Sequence, residues 1–307
     1  MSESGGFGYN GRMIDASELF GADFSEAVAL KTLGEVAIPP CPDIVVELLA
    51  ETRRAEVDFI RLSRLVMGDV GLAAAVLRMA NSPFFALRRK VQSAQQAVAV
   101  LGLRNLLKIV YGVVLKQSLG GNEALLMMRF WDRSNFNAVV SSWLAGRLPG
   151  LSADDAYTFG LFHDAGIAVM MQRYADYKQT LLLANAAPTN VTAAEDERYH
   201  TNHVLVGAML ANNWYLPEAV VWAIRYHHDL SILTAPRERA TPEVCRLVAL
   251  RAISEHLVAR FLNYPDDAEW DQIQEPALAY LGWFDDDLDD LRREMEPMLQ
   301  ETRSYRG

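Results

Sequence analysis

Helix-capping signals recur along this chain, whereas signals for β-strands are nearly absent. Ser93 is followed three residues later by Gln96, a pairing typical of the first helical turn because each side chain can bind a free backbone N–H. Ser152 and Asp155 have the same spacing, and the Thr-Pro pair at 241–242 is typical of a cap followed by the first helical position. Few stretches alternate with period two. The sequence therefore predicts an all-α protein.

Composition narrows the class of protein further. The 307 residues are 51% hydrophobic and 22% charged, as in an ordinary globular domain with or without extensions. We expect no membrane insertion, because no run approaches the roughly 20 apolar residues of a spanning helix. Residues 1–6 carry an acid where a signal peptide carries bases, and the two cysteines suit a reducing compartment, so we expect a cytoplasmic protein. The net charge of −10 argues against a nucleic-acid partner.

The histidines are concentrated in one part of the chain. Five of the six lie between residues 163 and 228, and Asp164 directly follows the first of them. Imidazole and carboxylate together suit iron, manganese or zinc, and a bound cation lowers the pKa of its water towards neutrality. We predict that His163 and Asp164 lie near a helix end and face the interior. His227 and His228 are adjacent on a predicted helix and about 100° apart, so we expect at most one of them to face the same site.

Several motifs, taken in order, resemble one family. They are Ile38–Pro42, Leu77–Phe85, Ser93–Leu103, Phe130-Trp131, Gly160–Gly166, His203–Leu210, Trp214, Leu216-Pro217 and His227-His228. This series resembles the HDOD domain, a bacterial signalling module related to the HD and HD-GYP metal-dependent phosphohydrolases. The resemblance implies a helical bundle over residues 25–230. Residues 1–24 are then expected to form a flexible extension, and residues 231–307 a helical extension packed on the bundle.

The resemblance also implies a class of function. HDOD domains act as regulatory or output modules, often in pathways built around cyclic di-GMP or histidine kinases, so we expect a protein partner in signal transduction. A metal-dependent phosphohydrolase acting on a cyclic dinucleotide or phosphomonoester with a reduced ligand set is the rival hypothesis. A sensor that binds a nucleotide without cleaving it is the third. The oligomeric state stays open.

Carrying over the related HD site residue by residue implies that it has lost a ligand at each end. Arg133 stands where the first histidine is expected, and the closing aspartate falls near Ile253 or Ser254. We therefore predict no catalytic residue and no required cofactor, and we expect Arg133 to pair with Asp164 in place of a cation. The predicted remnant site consists of Arg133, His163, Asp164, His203, His227 and His228. If iron, manganese, zinc or magnesium binds, the expected ligands are His163, Asp164, His203 and His227.

Two further patterns allow less specific interpretations. Arg88-Arg89-Lys90 precedes a helix that carries Arg104 and Lys108 one turn apart, which suits either a nucleotide-phosphate site or a solvated basic surface. Phe84 and Phe85 follow a predicted helix end at Asn81-Ser82, and we expect both rings to pack back into the core.

Overall fold

A computed structural model describes most of the chain. It covers residues 13–15, 18–19, 36–82, 90–120, 124–186, 191–235, 237–264 and 270–304. These residues form helices and no strands, which confirms the predicted all-α class. Most of the expected extension 1–24 lies outside the described residues, as do Phe84, Phe85 and Arg88-Arg89.

The α-helices of the described residues are named in chain order. They are α1 (Asp43–Thr52), α2 (Phe59–Met67), α3 (Val70–Ala80), α4 (Ala94–Ser118), α5 (Ala124–Ala145), α6 (Ala153–Phe162), α7 (Ala165–Arg173), α8 (Tyr177–Ala186), α9 (Val191–Tyr199), α10 (His203–Asn213), α11 (Glu218–Tyr226), α12 (Pro242–Phe261), α13 (Trp270–Leu281) and α14 (Asp285–Ser304). A 3₁₀ turn at Leu230–Leu233 joins α11 to α12.

The predicted caps start the helices for the expected physical reason. Ser93 Oγ accepts the backbone N–H of Gln96 at 3.2 Å, and Ser152 Oγ accepts that of Asp155 at 3.2 Å. Thr241 Oγ1 accepts the N–H of Val244 at 3.3 Å, and proline follows as the first residue of α12. Each bond satisfies a donor that has no partner within its own helix.

The expectation that no apolar segment approaches the length of a membrane-spanning helix was wrong for one helix. Helix α4 is 25 residues long and apolar enough, by length and composition, to cross a membrane. Gly102 interrupts it with a φ of 72°, and the helix packs against α2, α3 and α6. Side chains such as Leu106 and Val110 are fully buried there. Core packing therefore accounts for the apolar composition that the sequence analysis overlooked.

Two close helix contacts position the centre of the bundle. Helix α6 packs along α5, and α7 packs against α10. A Cβ atom at Gly160 would lie 2.7 Å from the Asn137 carbonyl oxygen, and one at Gly166 would lie 2.0 Å from that of His203. Only glycine permits backbones to approach this closely. These contacts fix both sides of the short connection between α6 and α7.

Helix α12 belongs to the same core, although it follows the predicted boundary at residue 230. It packs against α5, α11 and α13, and Leu247, Leu250 and Ile253 are fully buried. The inner face of α12 consequently reaches the centre of the bundle. The division into a 25–230 domain and a 231–307 extension stays a prediction.

Candidate functional site

His163 and Asp164 form the connection between α6 and α7. Helix α6 ends at Phe162 and α7 begins at Ala165, so both residues lie at helix ends, and both are buried as predicted. The Nδ1–H of His163 donates to the Gly160 carbonyl at 2.9 Å, which fixes the ring. Nε2 of His163 then lies 3.3 Å from Asp164 Oδ2.

Arg133 reaches this aspartate from α5. Its Nη2 lies 2.5 Å from Asp164 Oδ2, so the guanidinium occupies the side of the site where the resemblance implied a missing ligand. The side chain of Asp164 is 5% exposed and that of Arg133 is 39% exposed. The carboxylate therefore lies inside the bundle, and the arginine enters from its edge.

His203 and His227 face the other carboxylate oxygen of Asp164. Their Nε2 atoms lie 3.9 Å and 3.5 Å from Asp164 Oδ1. Neither Nε2 has a hydrogen-bond partner within the described part of the chain, although both rings are fully buried. Each Nδ1 is anchored, that of His203 by Glu195 at 2.8 Å and that of His227 by the Ile224 carbonyl at 2.7 Å. Histidines that ligate metals are held in the same way, with one nitrogen anchored and the other directed into the site.

His228 also faces this group, contrary to the expectation that only one of the adjacent histidines would. Ligand atoms of Asp164, His203, His227 and His228 all lie within 4.8 Å of one another. The estimate of 100° assumed a continuous helix, but α11 ends at Tyr226 and the two histidines follow in a turn. The ring centroids of His227 and His228 lie 5.3 Å and 5.0 Å from that of His203 and 4.3 Å from each other, so both rings reach the site.

Glu255 supplies a carboxylate on the α12 side of the cluster. The predicted position of the closing aspartate was Ile253 or Ser254, neither of which is an acid, and Glu255 was not among the predicted site residues. Glu255, one residue further along α12, places Oε1 2.9 Å from His163 Nε2. Its other oxygen pairs with Arg251, and Arg251 also donates to the His227 carbonyl at 2.9 Å. A glutamate has one more methylene than an aspartate, so it can reach the site from the following residue.

Glu195, which no sequence prediction named, is a fully buried carboxylate that supports His203. It accepts the backbone N–H of His203 at 3.0 Å in addition to the ring Nδ1–H, and the hydroxyl of Tyr177 donates to it. Nothing in the sequence around Glu195 distinguishes it from the other acids of α9, because its role depends on the packing of α8, α9 and α10.

Burial and neighbouring charges shift the pKa values in opposite directions. Burial opposes protonation of His163, but Asp164 and Glu255 raise its pKa to about 9. Burial would raise the pKa of Asp164, yet His163, His227 and Arg133 hold it well below its usual range. Burial and the adjacent His228 lower the pKa of His227 well below the ordinary value. Burial also opposes protonation of His203, but Glu195 raises its pKa, whereas burial and Arg251 lower the pKa of His228 well below the ordinary value. The cluster therefore combines two histidines that favour the charged form with two that favour the neutral form.

Two groups of side chains have ligand atoms close enough together to hold a cation: Asp164, His203, His227 and His228 form one, and His163, Asp164 and Glu255 form the other. The two groups differ in how far their ligand atoms are already engaged. The Nε2 atoms of His203 and His227 with Asp164 Oδ1 offer hard and borderline ligands of the type that iron, manganese or zinc takes. On the other side, His163 Nε2 is engaged by Glu255, and the two arginines pair with Asp164 and Glu255. Two guanidinium charges thus balance the two carboxylates, which leaves little negative charge to hold a dication.

Comparison with known proteins identifies the family. The model of the HDOD domain matches residues 38–230, more than half of the chain. The chain belongs to the HDOD domain family. The recognised motifs, from the proline-rich start at residue 38 to the paired histidines, lie within the match.

Solved structures show the same fold at low sequence identity. An HDOD domain protein of unknown function from Geobacter sulfurreducens is 23% identical, with a TM-score of 0.67 over 91% of this chain and 95% of its own. A protein from Shewanella amazonensis SB2B, provisionally named a phosphohydrolase, is 22% identical, with a TM-score of 0.70 over 92% and 98%. One from Marinobacter aquaeolei VT8, provisionally named a signal transduction protein, is 20% identical, with a TM-score of 0.66 over 98% and 68%.

A curated relative extends the comparison at the sequence level. An uncharacterized protein of Treponema pallidum (strain Nichols) is 26% identical over 249 residues, which are 79% of this chain. The chain covers 46% of the length of that protein.

Proposed function

We propose that this HDOD protein is a non-catalytic regulatory module whose histidine–carboxylate cluster is a structural remnant of a metal site. The observation that carries the proposal is the contact of Arg133 with Asp164. The guanidinium takes the carboxylate oxygen on the side where the related HD site has its first ligand. Arg251 does the same for Glu255 on α12. The arginines then perform the structural task of cations without the Lewis acidity that hydrolysis requires.

A protein without a reaction acts through what it binds, so we propose that the output is contact with a signalling partner in the cytoplasm. The provisional names of the structural relatives divide between a signal transduction protein and a phosphohydrolase. The fixed charges of the cluster favour the first of these two roles for this chain.

A metal-dependent phosphohydrolase is the second candidate, and one observation favours it. The two buried Nε2 atoms directed towards Asp164 Oδ1 are arranged as ligands of a single cation. When bound, such a cation would supply an activated water. His203, His227 and Asp164 would hold it, with His228 at the edge of the set. The other carboxylate oxygen of Asp164 would still be paired with Arg133.

Metal content measured together with hydrolysis separates the two candidates. The wild-type protein, purified without chelator and then incubated with Mn²⁺ or Fe²⁺, is assayed on bis-p-nitrophenyl phosphate and on cyclic di-GMP. We expect well under one metal per chain after gel filtration and no turnover above buffer. Arg133→His returns a metal-ligand side chain to the position and should raise the metal content. Arg129→His, on the exposed face of the same helix, is the matched control. Stoichiometric metal and turnover in the wild-type protein would overturn the proposal.

A further inference from the structure

A cavity of about 240 Å³ is lined by none of the cluster residues. It lies between the α1–α2 connection, α4 and the first turns of α6. Leu103, Leu107 and Tyr111 form one wall along α4. A dry cavity of about 150 Å³ lined by such side chains can take a benzene ring, so this one has room for a bicyclic ring.

Four charged side chains line the same cavity, and two of them neutralise each other. Lys108 is nearly buried, and its ammonium group contacts Asp154 Oδ1. Arg104 lies 3.8 Å from the other oxygen of Asp154, but its side chain is 59% exposed, so water screens its charge. The basic pair considered as a phosphate site in the sequence is therefore directed towards an acid of this protein.

Asp155 is the remaining charge, and it differs from the other three. No cationic side chain lies within 4.0 Å of its carboxylate in the described part of the chain. Burial raises its pKa to about 6. A hydrogen bond with Ser152 and the charge of Lys108 act against this shift, and the charges of Glu243 and Asp154 add to it. Its backbone N–H donates to Ser152 Oγ, a bond that any residue but proline could supply, and an acid suits this position because the first turn is the positive end of the helix dipole. The cap does not require the carboxylate to line a cavity.

We propose that this cavity binds a small organic cation, an ammonium group on an apolar body of one or two rings. The rings lie against Leu103, Leu107 and Tyr111, and the ammonium donates to Asp155. Such a ligand brings positive charge to the carboxylate of the cavity that forms no ion pair in the described part of the chain, because the nearby Lys108 pairs with Asp154. It also replaces water on the apolar wall. An organic anion, directed to Arg104, is the opposite outcome of the test.

Three probes with the same ring and different head groups test which sign of ligand charge the cavity prefers. Isothermal titration of the full-length wild-type protein at pH 7.5 uses 2-naphthylmethylamine, 2-naphthalenemethanol and 2-naphthoate. We expect the amine to bind about ten-fold or more tightly than the alcohol, as one charge-assisted hydrogen bond supplies. The naphthoate should bind more weakly still. Naphthoate affinity equal to or above that of the amine would overturn the proposal, and so would no binding of the amine at millimolar concentration.

Variants then locate the binding. Asp155→Asn should lower the affinity for the amine about ten-fold and leave that for the alcohol unchanged. Asp43→Asn, an exposed acid in the first turn of α1, is the matched control and should change neither. Leu107→Trp fills the cavity and should abolish binding of both probes; Leu103→Phe replaces it if the tryptophan variant does not fold. Unchanged amine binding in Asp155→Asn or in the filled variant would refute the proposed site. The comparison of the three probes uses only the wild-type protein, so it does not depend on whether any variant folds.

Discussion

The contact between Arg133 and Asp164 can be tested by removing each partner separately and both together. In Arg133→Met, the carboxylate of Asp164 keeps only histidine neighbours in a site where it is 5% exposed. Loss of one partner of a fully buried ion pair costs about 3–5 kcal/mol, and an exposed pair contributes about 1 kcal/mol or less. Because the arginine is 39% exposed, water can partly replace it. We therefore expect a loss of about 2 kcal/mol in the free energy of unfolding.

A double-mutant cycle isolates the pair from its surroundings. Asp164→Asn should cost a few kcal/mol, because it also removes one of the two carboxylates beside His163 and leaves only Glu255. If the two side chains stabilise each other, the double variant should lose about 1–2 kcal/mol less unfolding free energy than the sum of the two single losses. Urea unfolding followed by circular dichroism, in buffer with EDTA, gives each value. Arg129→Met on the exposed face of α5 is the control and should stay within about 0.5 kcal/mol of wild type.

Two results would refute this reasoning. A coupling energy below about 0.5 kcal/mol would mean that the arginine does not hold the carboxylate. A wild-type protein that loses stability when EDTA is added would mean that a metal ion holds the cluster, since a ligand that binds only the folded state stabilises it.

Three further predictions follow from the same cluster. Folding raises the pKa of His163 to about 9, so its contribution to the free energy of unfolding is complete below its unfolded pKa of about 6.5 and is lost as the pH rises towards 9. The difference in unfolding free energy between wild type and His163→Gln should therefore shrink between these two pH values. A constant difference would contradict the prediction. Glu195→Ala leaves the buried ring of His203 without its acceptor and should lower the free energy of urea unfolding by about 3–5 kcal/mol. The control Asp176→Ala breaks an exposed ion pair and should cost under about 1 kcal/mol. Equal losses would refute the role of Glu195 as the buried support of His203. Gly166→Ala places a Cβ 2.0 Å from a backbone oxygen of α10 and should cost about 3 kcal/mol or more in thermal unfolding, and an unchanged melting temperature would show that α7 and α10 can separate without loss.

Local sequence determined the helices and the centre of the site. The caps at Ser93, Ser152 and Thr241 act within three residues of themselves, so no tertiary information was needed to find them. His163 and Asp164 are adjacent in the chain, and the family motif places them together. Sequence alone did not separate α4 from a membrane-spanning helix, because an apolar helix inside a bundle can have the same length and composition.

Only the tertiary structure decided what surrounds that centre. Glu255 lies 92 residues from His163 in the chain, and Arg133 lies 31 residues from Asp164, so long-range packing selects these partners from among many similar charges. A buried carboxylate such as Glu195 is indistinguishable in sequence from a solvated one, because burial depends on which helices pack over it. The convergence of His227 and His228 on His203, with ring centroids 5.3 Å and 5.0 Å away, likewise appears only in the folded chain. Sequence supplied the residue types, and helix packing determined which charges meet.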